Sequence, residues 1–298
     1  MWVPAFVCPA CQASLAEERN AYACPRCGSS FRRDERLYRF ILPEQADRSR
    51  PFLSQYRSVR RADGHSEATA ACYATLPMVP RGTPNAAEWR IRRQSFETAV
   101  SRGGLRARTR RRVLDVGAGN GWLSSRLSEL GHDTVAVDLD DDPGDGLGAG
   151  AGRKPFPLVQ ADFDALPFAP DQFDLVLMNA SLHYSPDPDR TVEAAARVLR
   201  PGGTLMVMDS PVFEDPADGE AMVAQQLEAL SSSYSIEQPI RPGVGFLTFG
   251  GLQRMASRIG RGARFFASHG PILWRLRRTW SARQLGRAPA AFGVWVAR

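Results

Sequence analysis

Lysine is almost missing from this chain. All but one of its 38 basic residues are arginine, Lys154 being the sole lysine. GC-rich coding produces that skew, so a net charge of +6 does not by itself mark a nucleic-acid binder. Histidine is also scarce, with four in 298 residues, which leaves few side chains able to exchange a proton near neutrality. No apolar run approaches the roughly 18–20 residues that a membrane-crossing helix requires. Internal repeats, low-complexity tracts and a leader peptide are not seen. The expectation is a cytoplasmic protein with one large domain and a small appendage.

Cysteine is sparse but patterned. Four of the five cysteines form two knuckles, Cys8-Pro9-Ala10-Cys11 and Cys24-Pro25-Arg26-Cys27, twelve residues apart. Two thiolate pairs at that spacing can surround one tetrahedral Zn²⁺. The alternative is a pair of disulfides, against which a reducing compartment and the unpaired fifth cysteine, Cys72, both count. Residues 1–42 are therefore predicted to be a zinc ribbon with four protein ligands, structural rather than catalytic. So short a segment cannot bury a sufficient core, and the metal would supply its stability. Its removal is expected to loosen residues 1–42 and leave the rest folded.

Charge is segregated along the chain. Residues 1–112 carry a net +11, residues 113–223 a net −14 and residues 224–298 a net +9. The basic flanks could contact nucleic acid, or clusters such as Arg110-Arg111-Arg112 and Arg275, Arg277 and Arg278 could be solvated surface.

The chemistry is concentrated at residues 113–121, Val-Leu-Asp-Val-Gly-Ala-Gly-Asn-Gly. Val113, Leu114 and Val116 read as a strand. Gly117, Gly119 and Gly121 read as a turn, and a helix opens at Trp122. Strand, glycine turn and helix bring backbone N–H groups against a ligand. A second strand, Thr134 to Val137, ends in Asp138, where an acidic residue can accept from both hydroxyls of a ribose. The unit should bind a nucleoside-bearing cofactor. The dinucleotide fingerprint G-x-G-x-x-G would require glycine at 122, where Trp122 stands. Asp115 beside the turn would repel a pyrophosphate and attract an ammonium group.

Asp115-x-Gly117-x-Gly119-x-Gly121 resembles the first motif of the class I S-adenosylmethionine (SAM)-dependent methyltransferases. Further segments resemble later motifs of that family in order. They are Gln160 to Phe168, Phe173 to Tyr184, and Arg197 to Met208 with its Pro201-Gly202-Gly203 turn. The resemblance spans about residues 90–210. It implies an α/β, Rossmann-like, seven-stranded core over residues 113–298, preceded by a linker and helical region over 43–112. It also implies SAM contacts from Asp115, Gly117, Ala118, Gly119, Gly121, Asp138, Leu139 and Asn179, with Asp162 and Phe163 at the adenine. The final strand, around Phe292 to Val296, should pair at the sheet centre and alternate between faces.

The loop after the fourth strand should face the acceptor, carrying Asn179, His183 and Tyr184. His183 is the candidate general base, with a structural role at the site rim as the alternative. The Asp/Asn-Pro-Pro-aromatic signature of exocyclic-amine methylation is replaced by Asn179-Ala180-Ser181-Leu182. The aromatics Phe246, Phe249, Phe265, Phe266, Trp274 and Trp280 could line an acceptor pocket or form ordinary core. The leading reading is methylation of a small, biosynthetic molecule. The domain order is also similar to zinc-ribbon rRNA guanine methyltransferases, so RNA is the competing acceptor. A non-catalytic SAM-binding partner protein is the third reading.

Overall fold

A computed structural model describes residues 2–63, 73–80, 86–106, 109–270 and 272–298, without the side chains of Arg153 and Trp274. Cys72 lies outside the described residues, as does part of the linker and helical region expected over 43–112.

Four short strands open the chain: β1 (Ala16–Glu17), β2 (Ala21–Ala23), β3 (Ser30–Asp34) and β4 (Leu37–Arg39). Helices α1 (Pro43–Ala62) and α2 (Ala86–Arg102) follow. An alternating α/β core comes next, with β5 (Arg112–Val116), α3 (Trp122–Glu129), β6 (Asp133–Asp138) and β7 (Leu158–Gln160). It continues through β8 (Phe173–Asn179), α4 (Pro188–Val198) and β9 (Leu199–Met208). The remainder is β10 (Val212–Phe213), α5 (Pro216–Tyr234), β11 (Leu247–Thr248), α6 (Phe249–Arg258), β12 (Ala263–Ala267), α7 (Ile272–Gln284) and β13 (Gly293–Ala297).

Seven strands form the core in the order β7-β6-β5-β8-β9-β13-β12. The first five run parallel, and β13 inserts antiparallel between β9 and β12. Central parallel strands covered on both faces need apolar side chains throughout. β8 meets that demand, with all seven residues buried. The chain order reverses between β5 and β8. Loops leaving the two strands there open a crevice at their C-terminal ends. The Pro201-Gly202-Gly203 turn is an excursion inside β9: Leu199 pairs with Phe173 and Thr204 with Leu175. β13 sits one strand from the edge, and all five of its residues are buried, so it has no solvent face.

The N-terminal strands extend this same sheet. β4 pairs in parallel with β7, placing Tyr38 opposite Val159. Phe6 stacks against Tyr22, Tyr38, Phe40 and Phe168 with ring centroids 4.7–5.8 Å apart. Cys8, Cys24 and Phe31 belong to the same buried cluster as Leu114, Val159 and Val176. Residue 42 therefore marks no break in the core.

The segregated charges meet in space. Arg57 pairs with Asp140, Arg60 with Asp145, and Arg39 with Asp141, tying α1 and β4 to the acidic loop after β6. Arg110 pairs with Asp133, and Arg258 with Glu193. Among the described residues, seven arginines of the basic flanks thus pair with the acidic middle of their own chain.

Candidate active site

The crevice opens into a cavity of about 1060 Å³. One end is built by the glycine turn. Gly117, Gly119 and Gly121 have φ of 74°, 53° and 74°, a region that glycine enters without a Cβ penalty. The N–H groups of Gly117 and Ala118 donate to the Val137 carbonyl and lock the turn onto β6. Gly117, Ala118 and Gly119 line the cavity, and nothing lies within 4 Å of a Cβ built on Gly119. Gly121 does not line it. Gly121 instead lets Lys154 pass, whose Nζ would lie 3.3 Å from a Cβ there and donates to the Leu147 carbonyl at 3.0 Å.

Asp138 stands at the tip of β6. Its carboxylate accepts from the N–H of Gly119 at 2.7 Å and of Asp140 at 2.8 Å. Each oxygen keeps a lone pair for a ligand hydroxyl. Burial pushes its pKa up to about 6, against the pull of those N–H groups. Asp115 is fully buried beneath the turn rather than in the cavity wall. It accepts from Ser124 Oγ at 2.7 Å, its Oδ1 has no partner, and burial raises it to about 7. Leu139, Asp162 and Phe163 line the same end. Asp162 caps a short 3-10 turn through the Asp164 N–H and pairs with Arg48 at 3.1 Å.

The other end is formed by the loop after β8, with groups from α2, the end of β9 and the segment after α5. Asn179 is buried with an unpartnered Oδ1. The His183 ring lies 4.5 Å from that of Tyr184, and its Nδ1 is 3.1 Å from Ser210 Oγ. Burial, with Arg241 and Arg92 nearby, lowers its pKa to about 3. An imidazole so reluctant to take a proton is a poor general base, so its placement and its electrostatics point in different directions. Asp209 follows β9, accepts from Ser95 Oγ at 2.5 Å through Oδ1, and leaves Oδ2 unpartnered. Burial raises it to about 6. Arg92, Asp209 and Arg241 were not anticipated from sequence. Asp209 did carry a signal: it ends an apolar strand run at the edge where α/β ligands bind.

Of the aromatic residues that could line an acceptor pocket or form ordinary core, those with described side chains lie outside the cavity lining. Phe246 packs on Phe213, Phe249 on Phe265, and Phe266 lies under Arg102. Trp280 is 63% exposed on α7. Phe292 lines the cavity in their place.

Cys8, Cys11, Cys24 and Cys27 form a second cluster. All four are free thiols, and their Sγ atoms lie within 4.8 Å of one another. The pairs Cys8–Cys27 and Cys11–Cys24 stand 3.6 and 3.5 Å apart. Sulfurs at the corners of a tetrahedron around zinc lie about 3.8 Å apart. The four thiols fit such an ion.

Residues 114–207 match a family described as a methyltransferase domain. The ubiquinone/menaquinone biosynthesis C-methyltransferase UbiE of Vibrio vulnificus is 33% identical over 117 residues, covering 36% of this chain and 45% of that protein. An uncharacterized methyltransferase of Mycobacterium tuberculosis is 43% identical over 95 residues, covering 32% and 38%. The chain thus spans less than half the length of these curated relatives. Among solved structures, 1,6-didemethyltoxoflavin-N1-methyltransferase from Burkholderia thailandensis was determined with 1,6-didemethyltoxoflavin and S-adenosylhomocysteine. It is 17% identical and covers 96% of this chain and 99% of its own, with a TM-score of 0.50. YcgJ from Bacillus subtilis is 19% identical and covers 69% and 98%, with a TM-score of 0.51. At these identities the likeness establishes the fold, an α/β methyltransferase fold.

Proposed function

We propose that this protein is a SAM-dependent methyltransferase acting on a small-molecule acceptor. One observation carries the reading. A single cavity runs from the glycine turn and Asp138 to His183 and Asp209, giving a cofactor end and an acceptor end within one enclosure. SAM supplies a methyl group on a sulfonium centre. The residues present suit it: Asp138 can accept from the ribose hydroxyls, and Asp162 and Phe163 line the same cavity and would meet the adenine. Asn179 lines the cavity with an unpartnered acceptor. The chain's own part in the transfer is largely positioning and exclusion of water. His183 acts in this reading as a neutral hydrogen-bonding group. Asp209, with a free oxygen, is the group able to take a proton from the acceptor.

The same geometry weighs against the rRNA reading. Arg39, Arg57 and Arg60 are engaged with the acidic loop, which leaves them less charge for phosphates. A polar acceptor end, complete with Asp209 and His183, weighs against a non-catalytic partner. We further propose that Cys8, Cys11, Cys24 and Cys27 hold one structural Zn²⁺, and that the protein works in the reducing cytoplasm, which suits free thiols.

Isothermal titration with S-adenosylhomocysteine tests the central claim. Asp138→Ala should weaken binding about tenfold or more, the scale for losing hydrogen bonds to a charged group. Unchanged affinity in that variant, or tight NAD binding by the wild type, would overturn it.

A further inference from the structure

The arginines that line the cavity fall into two classes. At the cofactor end Arg48 pairs with Asp162 at 3.1 Å, and Arg60 with Asp145 at 2.6 Å. Arg92 and Arg241, at the acceptor end, have no carboxylate within ion-pair distance among the described residues. Arg92 stacks on Trp89, its guanidinium carbon 4.8 Å from the ring centroid. Arg241 donates to the neutral amide oxygen of Gln226. Both are half-buried.

We propose that Arg92 and Arg241 form an anion-binding subsite that holds a carboxylate or phosphate group of the methyl acceptor. The proposal rests on the methyltransferase reading above and names the chemical class of its substrate.

Three observations support it. A guanidinium stays charged in any protein environment, and withdrawing it from water without a counter-charge is costly. Both arginines pay part of that cost while facing an open cavity. Second, both act electrostatically on His183. The two arginines and His183 line the same cavity, and the neutral imidazole adds no third charge. Third, neither nearby carboxylate pairs with the two guanidinium groups, among the described residues. Asp209 is influenced by Arg92 but forms no ion pair with it, its Oδ1 being taken by Ser95. Glu88, one turn earlier on α2, is exposed and unpaired with Arg92. Arg241 is also held in place. Gly245, at φ 84°, leaves room for its guanidinium where any Cβ would collide with Nη1. Tyr184, Met222 and Phe292 line the same cavity and would pack against the body of a flat or apolar anion.

The test uses full-length protein saturated with S-adenosylhomocysteine, titrated with benzoate, phenyl phosphate and benzamide. Benzoate and phenyl phosphate separate the two anion chemistries, and benzamide keeps the ring without the charge. At least one anion should bind saturably and about tenfold or more tighter than benzamide. Arg92→Gln and Arg241→Gln should each remove most of that preference, and Arg92→Lys should restore part of it. Affinity for S-adenosylhomocysteine should stay within about twofold in all three variants, which also shows that they fold. Intact S-adenosylhomocysteine binding without anion preference would overturn the subsite alone, as would a preference that survives the double Gln variant. Failure of the wild type to bind S-adenosylhomocysteine would overturn the parent reading, and the subsite with it.

Discussion

Gly117 and Ser181 compete for the same space. A Cβ on Gly117 would lie 2.7 Å from Ser181 Oγ and closer still to its Cβ, while that hydroxyl donates to the Val116 carbonyl at 2.8 Å. The loop after β8 is therefore seated directly on the glycine turn after β5, and both residues line the cavity. Gly117→Ala combines a left-handed backbone at φ 74° with a steric overlap against a packed loop. It should cost about 2–4 kcal/mol by chemical denaturation. S-adenosylhomocysteine affinity should fall with it. Gly119→Ala shares the positive φ but meets nothing within 4 Å, so its cost should be closer to 1 kcal/mol. Equal losses in the two variants would show that Ser181 yields easily.

These two loops also show what the sequence made legible. The glycine turn is a local pattern, read within a few residues, because turn geometry and strand ends leave marks on their own segment. The cysteine knuckles are local in the same way. Arg92, Asp209 and Arg241 come from three distant segments and converge only through tertiary packing, so no spacing announces them. The aromatic C-terminal segment stayed open between pocket and core for the same reason. Phe249 and Phe265 are core, and Trp280 is surface, and composition alone cannot separate those from a pocket wall. The charge blocks left nucleic-acid contact and solvated surface both open, whereas Arg57 and Arg60 meet Asp140 and Asp145.

The knuckles, though legible, were expected to sit on an appendage that loosens alone. The β4–β7 ladder and the packing of Phe6 on Phe168 argue otherwise. Chelation, or Cys24→Ser with Cys27→Ser, should lower the melting temperature of the whole protein. Amide exchange should rise in Leu158–Gln160 as well as in the ribbon, because β7 loses a paired neighbour. Exchange confined to residues 1–42 would restore the appendage view. Zinc content should be one per chain before chelation and near zero in the double variant.

Asp115 makes stability depend on pH in an unusual direction. An unfolded aspartate titrates near 4, whereas burial raises Asp115 to about 7 in the folded protein. The folded state thus takes the proton more readily. The stabilisation from this group is complete below about pH 4 and is lost as pH rises through about 7. Lowering the pH from 8 to 6 should therefore stabilise the ligand-free wild type relative to Asp115→Asn by about 1–2 kcal/mol. The comparison with the variant matters because His183 works the other way, losing stability as pH falls below about 6.5. Denaturation curves of both proteins at the two pH values would show it. Parallel behaviour would mean that Asp115 is charged at pH 6 and solvated more than its burial implies.

His183 can be observed directly, because only four histidines contribute imidazole signals. One signal should hold its neutral position from pH 8 down to about 5 and disappear in His183→Asn, since burial lowers the pKa to about 3. Arg92→Gln and Arg241→Gln remove the smaller contributions and should leave the signal untitrated above pH 5, burial being the largest cause. The pH dependence of methyl transfer should then show no inflection traceable to His183. An inflection near 6 would instead follow Asp209, whose buried carboxyl titrates at about 6, and should vanish in Asp209→Asn. Activity would rise through that inflection as Asp209 loses its proton and can accept one from the acceptor. A His183 midpoint near 6.5 would reverse the assignment, placing the imidazole in contact with water and returning it to the role of base.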